Sequence, residues 1–338
     1  MFVSIIVPSY NHAQFLEERI ESILNQDFDN FEVILLDDLS PDNSAEILKK
    51  YQNHPKVSHC IINEKNSGST FYQWNKGIDL AKGELIWIAE SDDVADTQFL
   101  TKLVPKFDQN PNLVLAYSQS YRMNAQGEVT GTWKDCTDSS DAELFTNDFE
   151  LSGLEYFEKF LKTGNTIPNA SGVIFKKQTY LDVGGANPRL KFIGDWDIWA
   201  KVVTQGDIFF TPECLNYFRY HDTSVIAQAR KNKDHFEYRS QLILFREGMS
   251  QFLDIYRKKC DAANKTYDIS QKMLARDLRK NASLAIRRQY YNKIIPTTII
   301  AIKTVPFYLI PFYLLKLILQ FVIFTLVSLL KRSKGNSR

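Results

Sequence analysis

Cysteine is scarce in this 338-residue chain, and its four copies are scattered. Cys60, Cys136, Cys214 and Cys260 form no close pair of the kind that holds zinc, and reduced thiols in a cytosol are the simplest reading. The first apolar run, Phe2 to Val7, lacks a basic leader and is too short for a signal peptide. Internal repeats and low-complexity tracts are missing, and no Ser-His or Cys-His arrangement suggests an enzymic nucleophile. Strong net charge is missing too, because 41 basic residues against 40 acidic ones leave only +1. That balance hides an asymmetry. From Lys272 to Arg338 there are 13 Lys or Arg and one acid, Asp277, so this end carries +12 and the rest −11. The basic end also holds the most hydrophobic run in the chain. Together these features point to an anionic membrane surface and away from nucleic acid.

What is present is a globular composition, 44% apolar and 24% charged, enough for one large domain or two. Strand-like runs recur at Val3 to Val7, ended by Pro8, then at Phe31 to Leu36, Val57 to Ile62, Glu84 to Ala89 and Leu113 to Tyr117. Helical periodicity lies between them, with Phe15, Leu16, Ile20, Ile23 and Leu24 on one face of the first helix. The alternation predicts an α/β fold with a mainly parallel, doubly wound sheet covered on both faces. Ligands bind such sheets at the carboxyl ends of the strands.

Three of those ends are polar: Pro8-Ser9-Tyr10-Asn11, Asp37-Asp38 and Glu90-Ser91-Asp92-Asp93. The last places three carboxylates in four residues directly after a buried strand. Unpaired, they would repel one another and resist leaving water. A divalent cation relieves that, and Mg²⁺ or Mn²⁺ suits hard carboxylate oxygens. The alternative is an acidic N-cap of the following helix, with Asp93 as the cap. The sheet should bring the three ends together, which favours the cation.

Beyond residue 121 the pattern changes. A hairpin is expected around Gly127, an aperiodic acidic loop over Asp135 to Glu150, a helix over Leu151 to Leu161 and a short strand over Ser171 to Phe175. Another helix is expected from near Asp195 to Thr204. Phe236 to Tyr291 reads as helical, with Leu242, Leu244, Phe245, Phe252, Leu274, Leu278 and Leu284 as buried positions.

Val-Pro-Ser-Tyr-Asn at 7–11, Asp37-Asp38 followed by Ser-Pro-Asp, Asn66-Ser67-Gly68, Glu90-Ser-Asp-Asp, Gly-Asp-Trp-Asp at 194–197 and Phe-Arg-Tyr-His at 218–221 occur in this order. The set closely resembles the family 2 glycosyltransferases of the GT-A fold, over roughly residues 1–225. The resemblance implies inverting transfer of a sugar from a nucleotide-diphosphate donor, a UDP-sugar first among them. The acceptor would be a hydroxyl of a saccharide or lipid-linked saccharide in surface polysaccharide synthesis. It makes 1–225 a catalytic domain, with a nucleotide-sugar half to 121 and an acceptor half from 122, and the chain's own pattern adds a helical region (226–292) and a membrane-associating tail (293–338). It places Pro8, Tyr10, Asp37, Asp38, Gly68 and Asp92 at the donor, Asp92 and Asp93 on a divalent cation (Mn²⁺ or Mg²⁺), and Asp195 as catalytic base. Glu90, Trp196, Arg219 and His221 are further candidates: a metal neighbour, a sugar-stacking ring, a phosphate partner and a metal or diphosphate neighbour. Core packing, a bond to Asp222 and a structural histidine are the respective alternatives for the last three. Relatives usually carry Glu-Asp where this chain has Gly194-Asp195, so the missing Glu bears on acceptor contact. A polyprenyl-phosphate sugar synthase and a non-catalytic nucleotide-sugar-binding protein are the rival readings.

Val305 to Leu330 is long enough to span a membrane, but Pro306 and Pro311 interrupt it and Lys316 and Gln320 mark a polar stripe. The basic end and a domain using nucleotide sugars both belong on the cytoplasmic side. An in-plane or re-entrant tail on the cytoplasmic face of the cell membrane is therefore expected. A buried core helix or a dimer interface is the alternative.

Overall fold

The computed structural model describes residues 1–191, 193–221, 224, 235–258, 260–287 and, in the tail, 310–311, 314–315 and 317–319. Two compact units result, Met1–Lys231 and Asn232–Arg338.

The first unit is built on a ten-stranded sheet. Its nucleotide-side half alternates β1 (Val3–Ser9), α1 (Ala13–Leu24), β2 (Phe31–Asp37), α2 (Ser44–Tyr51), β3 (Val57–Ile62), α3 (Thr70–Leu80) and β4 (Leu85–Ile88). Strands β3, β2, β1 and β4 are neighbours in that order and all parallel. Every residue of β1, β2 and β4 is buried, as expected where helices cover both faces. Pro8 does not end β1: it pairs with Leu36, and the strand runs to Ser9.

The second half mixes directions. After β5 (Val94–Ala95) and α4 (Phe99–Gln109) come β6 (Leu113–Met123), β7 (Val129–Thr132), α5 (Lys134–Asp141), β8 (Phe149–Ser152), α6 (Gly153–Tyr156), β9 (Val173–Lys176), α7 (Lys177–Asp182), α8 (Gly194–Val203) and β10 (Asp207–Arg219). Strand β9 enters between β4 and β6, antiparallel to both. Strand β10 lies parallel to β6, and β5 pairs antiparallel with β10. The expected hairpin at Gly127 is present as β6 and β7.

Three local expectations change. The residues after Asp93 form β5, so Asp93 caps no helix; the apolar Val94–Ala95 finds pairing partners in Tyr217 and Asn216. The acidic stretch from Asp135 contains α5 and a 3₁₀ turn, Leu144–Thr146, pinned by buried Phe145. The strand expected over Ser171 to Phe175 begins two residues later, because Ala170–Gly172 is a 3₁₀ turn capped by Asn169.

In the second unit, helices His235–Tyr256 and Ala263–Arg287 pack together. Ile243, Phe245, Met249, Leu253, Leu274 and Leu278 are buried. Leu242, Leu244, Phe252 and Leu284 are half-buried instead, beside the seam rather than in it. The seam also encloses an ion pair, Arg246 Nε to Asp277 Oδ2 at 3.2 Å. The membrane reading of the tail falls almost wholly outside the described residues. Among the described residues, no helix is long and apolar enough to cross a membrane.

Candidate functional site

The site is assembled at the carboxyl ends of β1, β2 and β4. Strand β4 delivers the acidic turn, Glu90 to Asp93, and each of its carboxylates faces a different partner. Glu90 Oε1 accepts the indole N–H of Trp74, from α3, at 2.8 Å. Asp92 Oδ2 lies 2.9 Å from Nε2 of His221 and 3.9 Å from Nε2 of His12. Asp93 is 1% exposed and turns the other way, its Oδ1 accepting the backbone N–H of Arg219 at 3.0 Å.

Burial sets the charges of the turn. It raises Glu90 to about 8, with the Asp92 charge adding to the effect. It raises Asp93 to about 7, again helped by Asp92. Asp92 feels the same burial, yet the charges of His12 and His221 hold it below the usual carboxylate range. Beneath the turn lies Arg19, fully buried over the Trp87 ring at 4.9 Å. Burial lowers its pKa to about 10 against the pull of Asp93, Asp92 and Glu90. A guanidinium still charged at that value is a resident counter-ion for the three acids.

His12, Asp92 and His221 form a group whose ligand atoms all lie within 4.8 Å of one another. His12 occupies the N-cap position of α1, and its Nδ1 bonds Ser91 Oγ at 2.8 Å, which orients the ring. The two imidazoles meet edge to face at 5.2 Å. Two imidazole nitrogens and a carboxylate oxygen are donors that Mn²⁺ and related divalent ions accept. Asp92 and His221 were expected near a metal, whereas His12 was not. The signal available in the sequence was a histidine immediately after a strand-end turn, which is weak alone.

Asp37 and Asp38 are buried at the end of β2 and hold loops. Ser40 donates to Asp37 through both its N–H (2.9 Å) and its hydroxyl (2.5 Å). Asp38 accepts from Asn63, Ser67 and Gln73, fastening the 63–69 loop that contains Gly68, at φ 80°. Between strand ends, Tyr10 (49% exposed) and Leu39 (46% exposed) offer apolar surface to solvent. Leu39 also carries φ 59°, a costly conformation for a leucine.

Asp195 lies in the first turn of α8, where Oδ2 accepts Asn165 Nδ2 at 3.0 Å. Burial raises it to about 6. A chain of contacts ties it to the acidic turn: Trp74 bonds Glu90, Phe71 packs edge-on against Trp74 at 5.0 Å, and Phe71 covers Gly194. A Cβ on Gly194 would stand 2.3 Å from the Phe71 ring. The aromatic ring thus fills the space that a side chain at position 194 would need.

Two candidates take other roles. Trp196 is 4% exposed and its indole N–H donates to the Leu161 carbonyl, so its ring belongs to the core and is not offered to a sugar. Arg219 is 2% exposed and bonds protein groups, which leaves it out of reach of a donor phosphate.

The chain is similar to known glycosyltransferases along different lengths. It is 39% identical to the glycosyltransferase GlyG of Streptococcus pneumoniae serotype 4 over 104 residues, 30% of this chain and 33% of that one. It is 26% identical to the chondroitin synthase of Pasteurella multocida over 307 residues, 86% of this chain but 29% of that one. The chain therefore spans about a third of the length of these two relatives. Among solved structures, Staphylococcus aureus TarS residues 1–349 in complex with UDP-GlcNAc superimposes with a TM-score of 0.68 at 19% identity, over 95% of this chain and 89% of that one. At that identity the likeness is one of fold. Residues 4–175, half of the chain, match the family described as glycosyl transferase family 2, and the chain belongs to that family.

Proposed function

We propose that the protein is an inverting glycosyltransferase that moves a sugar from a nucleoside-diphosphate donor, a UDP-sugar, to a hydroxyl of a growing saccharide. One observation carries the reading: a run of contacts, Glu90 to Trp74 to Phe71 to Gly194, joins the acidic turn, which holds the Asp92 of the two-histidine group, to the helix start that carries Asp195. A donor needs its diphosphate charge met on one side of the reacting sugar. An acceptor needs its proton taken on the other.

Asp92, His221 and His12 are the residues that would hold a divalent cation. When bound, such an ion neutralises charge growing on the leaving diphosphate as a Lewis acid. Tyr10 and the loop fastened by Asp38 would border the nucleoside. Asp195, raised toward neutrality by burial, would take the acceptor hydroxyl proton as the oxygen attacks. A single displacement inverts the anomeric centre without an enzymic nucleophile. The TarS structure was solved with UDP-GlcNAc, and the relatives include a chondroitin synthase and a hyaluronan synthase of Pasteurella multocida, which supports a UDP-sugar and a polysaccharide acceptor. The basic, apolar tail supports a place at the cytoplasmic face of the cell membrane.

The test is a donor screen that reads nucleotide release from UDP-, GDP- and dTDP-sugars with Mn²⁺ present. Release from a UDP-sugar that is lost in Asp92→Asn is the expected result. Full activity in excess EDTA, or release from none of the donors, would overturn the reading.

A further inference from the structure

The three groups of the proposed cation site come from distant parts of the chain: the start of α1, the turn after β4 and the end of β10. Something must hold those segments in register, and one residue is bonded to all of them. Arg219 ends β10, two residues before His221. Its guanidinium Nε donates to the Asp92 carbonyl at 2.8 Å, and Nη2 to Glu18 Oε2, on α1, at 2.5 Å. Nη1 reaches the carbonyls of Asn124 and Ala125, in the turn between β6 and β7, at 3.4 Å each. The plane lies over the Phe15 ring, also on α1, at 4.7 Å. Its backbone N–H goes to Asp93.

We propose that Arg219, braced by Glu18, is the positioning residue of the cation site. It fixes the Asp92 backbone against α1, so that the Asp92 carboxylate meets His221 from one side and His12 from the other. A planar fork with five donors can serve three separated acceptors at once; a lysine ammonium is a single point. Phe15 makes the arrangement tighter still, because it touches the Arg219 plane and the His221 ring, the latter at 5.0 Å. Glu18 is about half exposed and is the acceptor for Nη2, while Nε and Nη1 are held by three carbonyls. Its contribution is to pull the guanidinium toward α1, and with it the segment that carries His221.

The inference rests on the cation reading above, and the test separates the two. Mn²⁺ binding is measured by the electron paramagnetic resonance signal of free Mn²⁺, on the full chain with UDP, for wild type, Glu18→Ala, Arg219→Lys and the double variant. Outer partners of metal ligands typically account for about 10–100-fold in metal affinity. Arg219→Lys is expected to weaken Mn²⁺ within that range and to recover kcat at saturating Mn²⁺. Glu18→Ala leaves Nη2 to water at the half-exposed Glu18 position, and is expected to fold with a modestly lowered melting temperature and to weaken Mn²⁺ to a smaller degree. The double variant should be no weaker than Arg219→Lys alone, since both changes release one clamp. Wild-type Mn²⁺ affinity in Glu18→Ala overturns the inference even if Arg219→Lys fails to fold. Additive losses, or activity in Arg219→Lys that added Mn²⁺ does not restore, overturn it as well. If wild type itself binds no Mn²⁺ with UDP, the cation reading fails and the clamp falls with it.

Discussion

Asp195 shows how much one side chain's surroundings decide. An aspartate in the first turn of a helix is ordinarily a favourable acid near a positive dipole end. Here burial outweighs that, raising it to about 6, while the Asn165 amide and the Trp196 backbone N–H oppose the rise. The base form is the carboxylate, so it is complete above that value and is lost as pH falls through it. The transfer rate should therefore drop about tenfold per pH unit on the acid side of about 6, with donor KM little changed. Asp195→Asn should lower kcat by about 10²–10⁴ and abolish the acid limb. Normal turnover in that variant would make Asp195 a helix-terminus acid and nothing more. Gly194 supplies the neighbouring test. An alanine there puts Cβ 2.3 Å from the Phe71 ring, and the overpacking should cost about 1–3 kcal/mol in urea unfolding. Gly194→Glu should be tolerated only together with Phe71→Ala; equal stability of the single Glu variant would show that Phe71 does not fill that space.

At the scale of elements, α3 is the part that connects the acidic turn to the start of α8. Its cap is Ser69, and its buried face carries Phe71, Gln73, Trp74 and Ile78. Gln73 holds Asp38, and Trp74 holds Glu90. The helix approaches β1 so closely that a Cβ at Gly77 would lie 2.4 Å from Ile6 Cγ2. Gly77→Ala should push α3 outward, costing about 1–3 kcal/mol of stability despite the better helix propensity of alanine. Activity should fall with it, since Trp74 and Phe71 move together. A more stable Gly77→Ala protein, judged by the urea midpoint, would refute this packing. Helix α1 works in the same manner on the other flank, with His12, Phe15 and Arg19 all turned to the acidic turn or the histidine beside it.

For the whole molecule the charge asymmetry matters most. The 271 residues before Lys272 carry −11 and the remainder +12, together with the longest apolar run. Burying a Leu- or Phe-sized side chain is worth about 1.5–3 kcal/mol, and each Lys or Arg near an anionic leaflet adds about 1 kcal/mol. The full chain should therefore sediment with anionic liposomes and release in high salt only partly. A chain ending at Asn292 should stay in the supernatant and still release nucleotide from its donor, because every proposed site residue lies in the unit Met1–Lys231. Pelleting of the shortened chain with vesicles would place membrane affinity elsewhere.

The sequence by itself determined the layers. Short apolar runs bounded by turn residues read as strands buried on both faces, and the intervening 3.6-residue periods as the helices that bury them. It also determined that acids would stand at the ends of β2 and β4, since polar residues directly after a buried strand must emerge at its carboxyl end. What each acid faces was decided by the tertiary structure. Asp92 and Asp93 are adjacent, yet one meets two histidines and the other a backbone amide 126 residues away. Trp196 and Asp195 are adjacent too, and one is core while the other reaches toward Asn165. Periodicity records which face of an element is buried, but after a strand ends the side chains follow the turn. The turn here is set by α1, α3 and β10, brought in from far along the chain, and a local pattern holds no information about those distances.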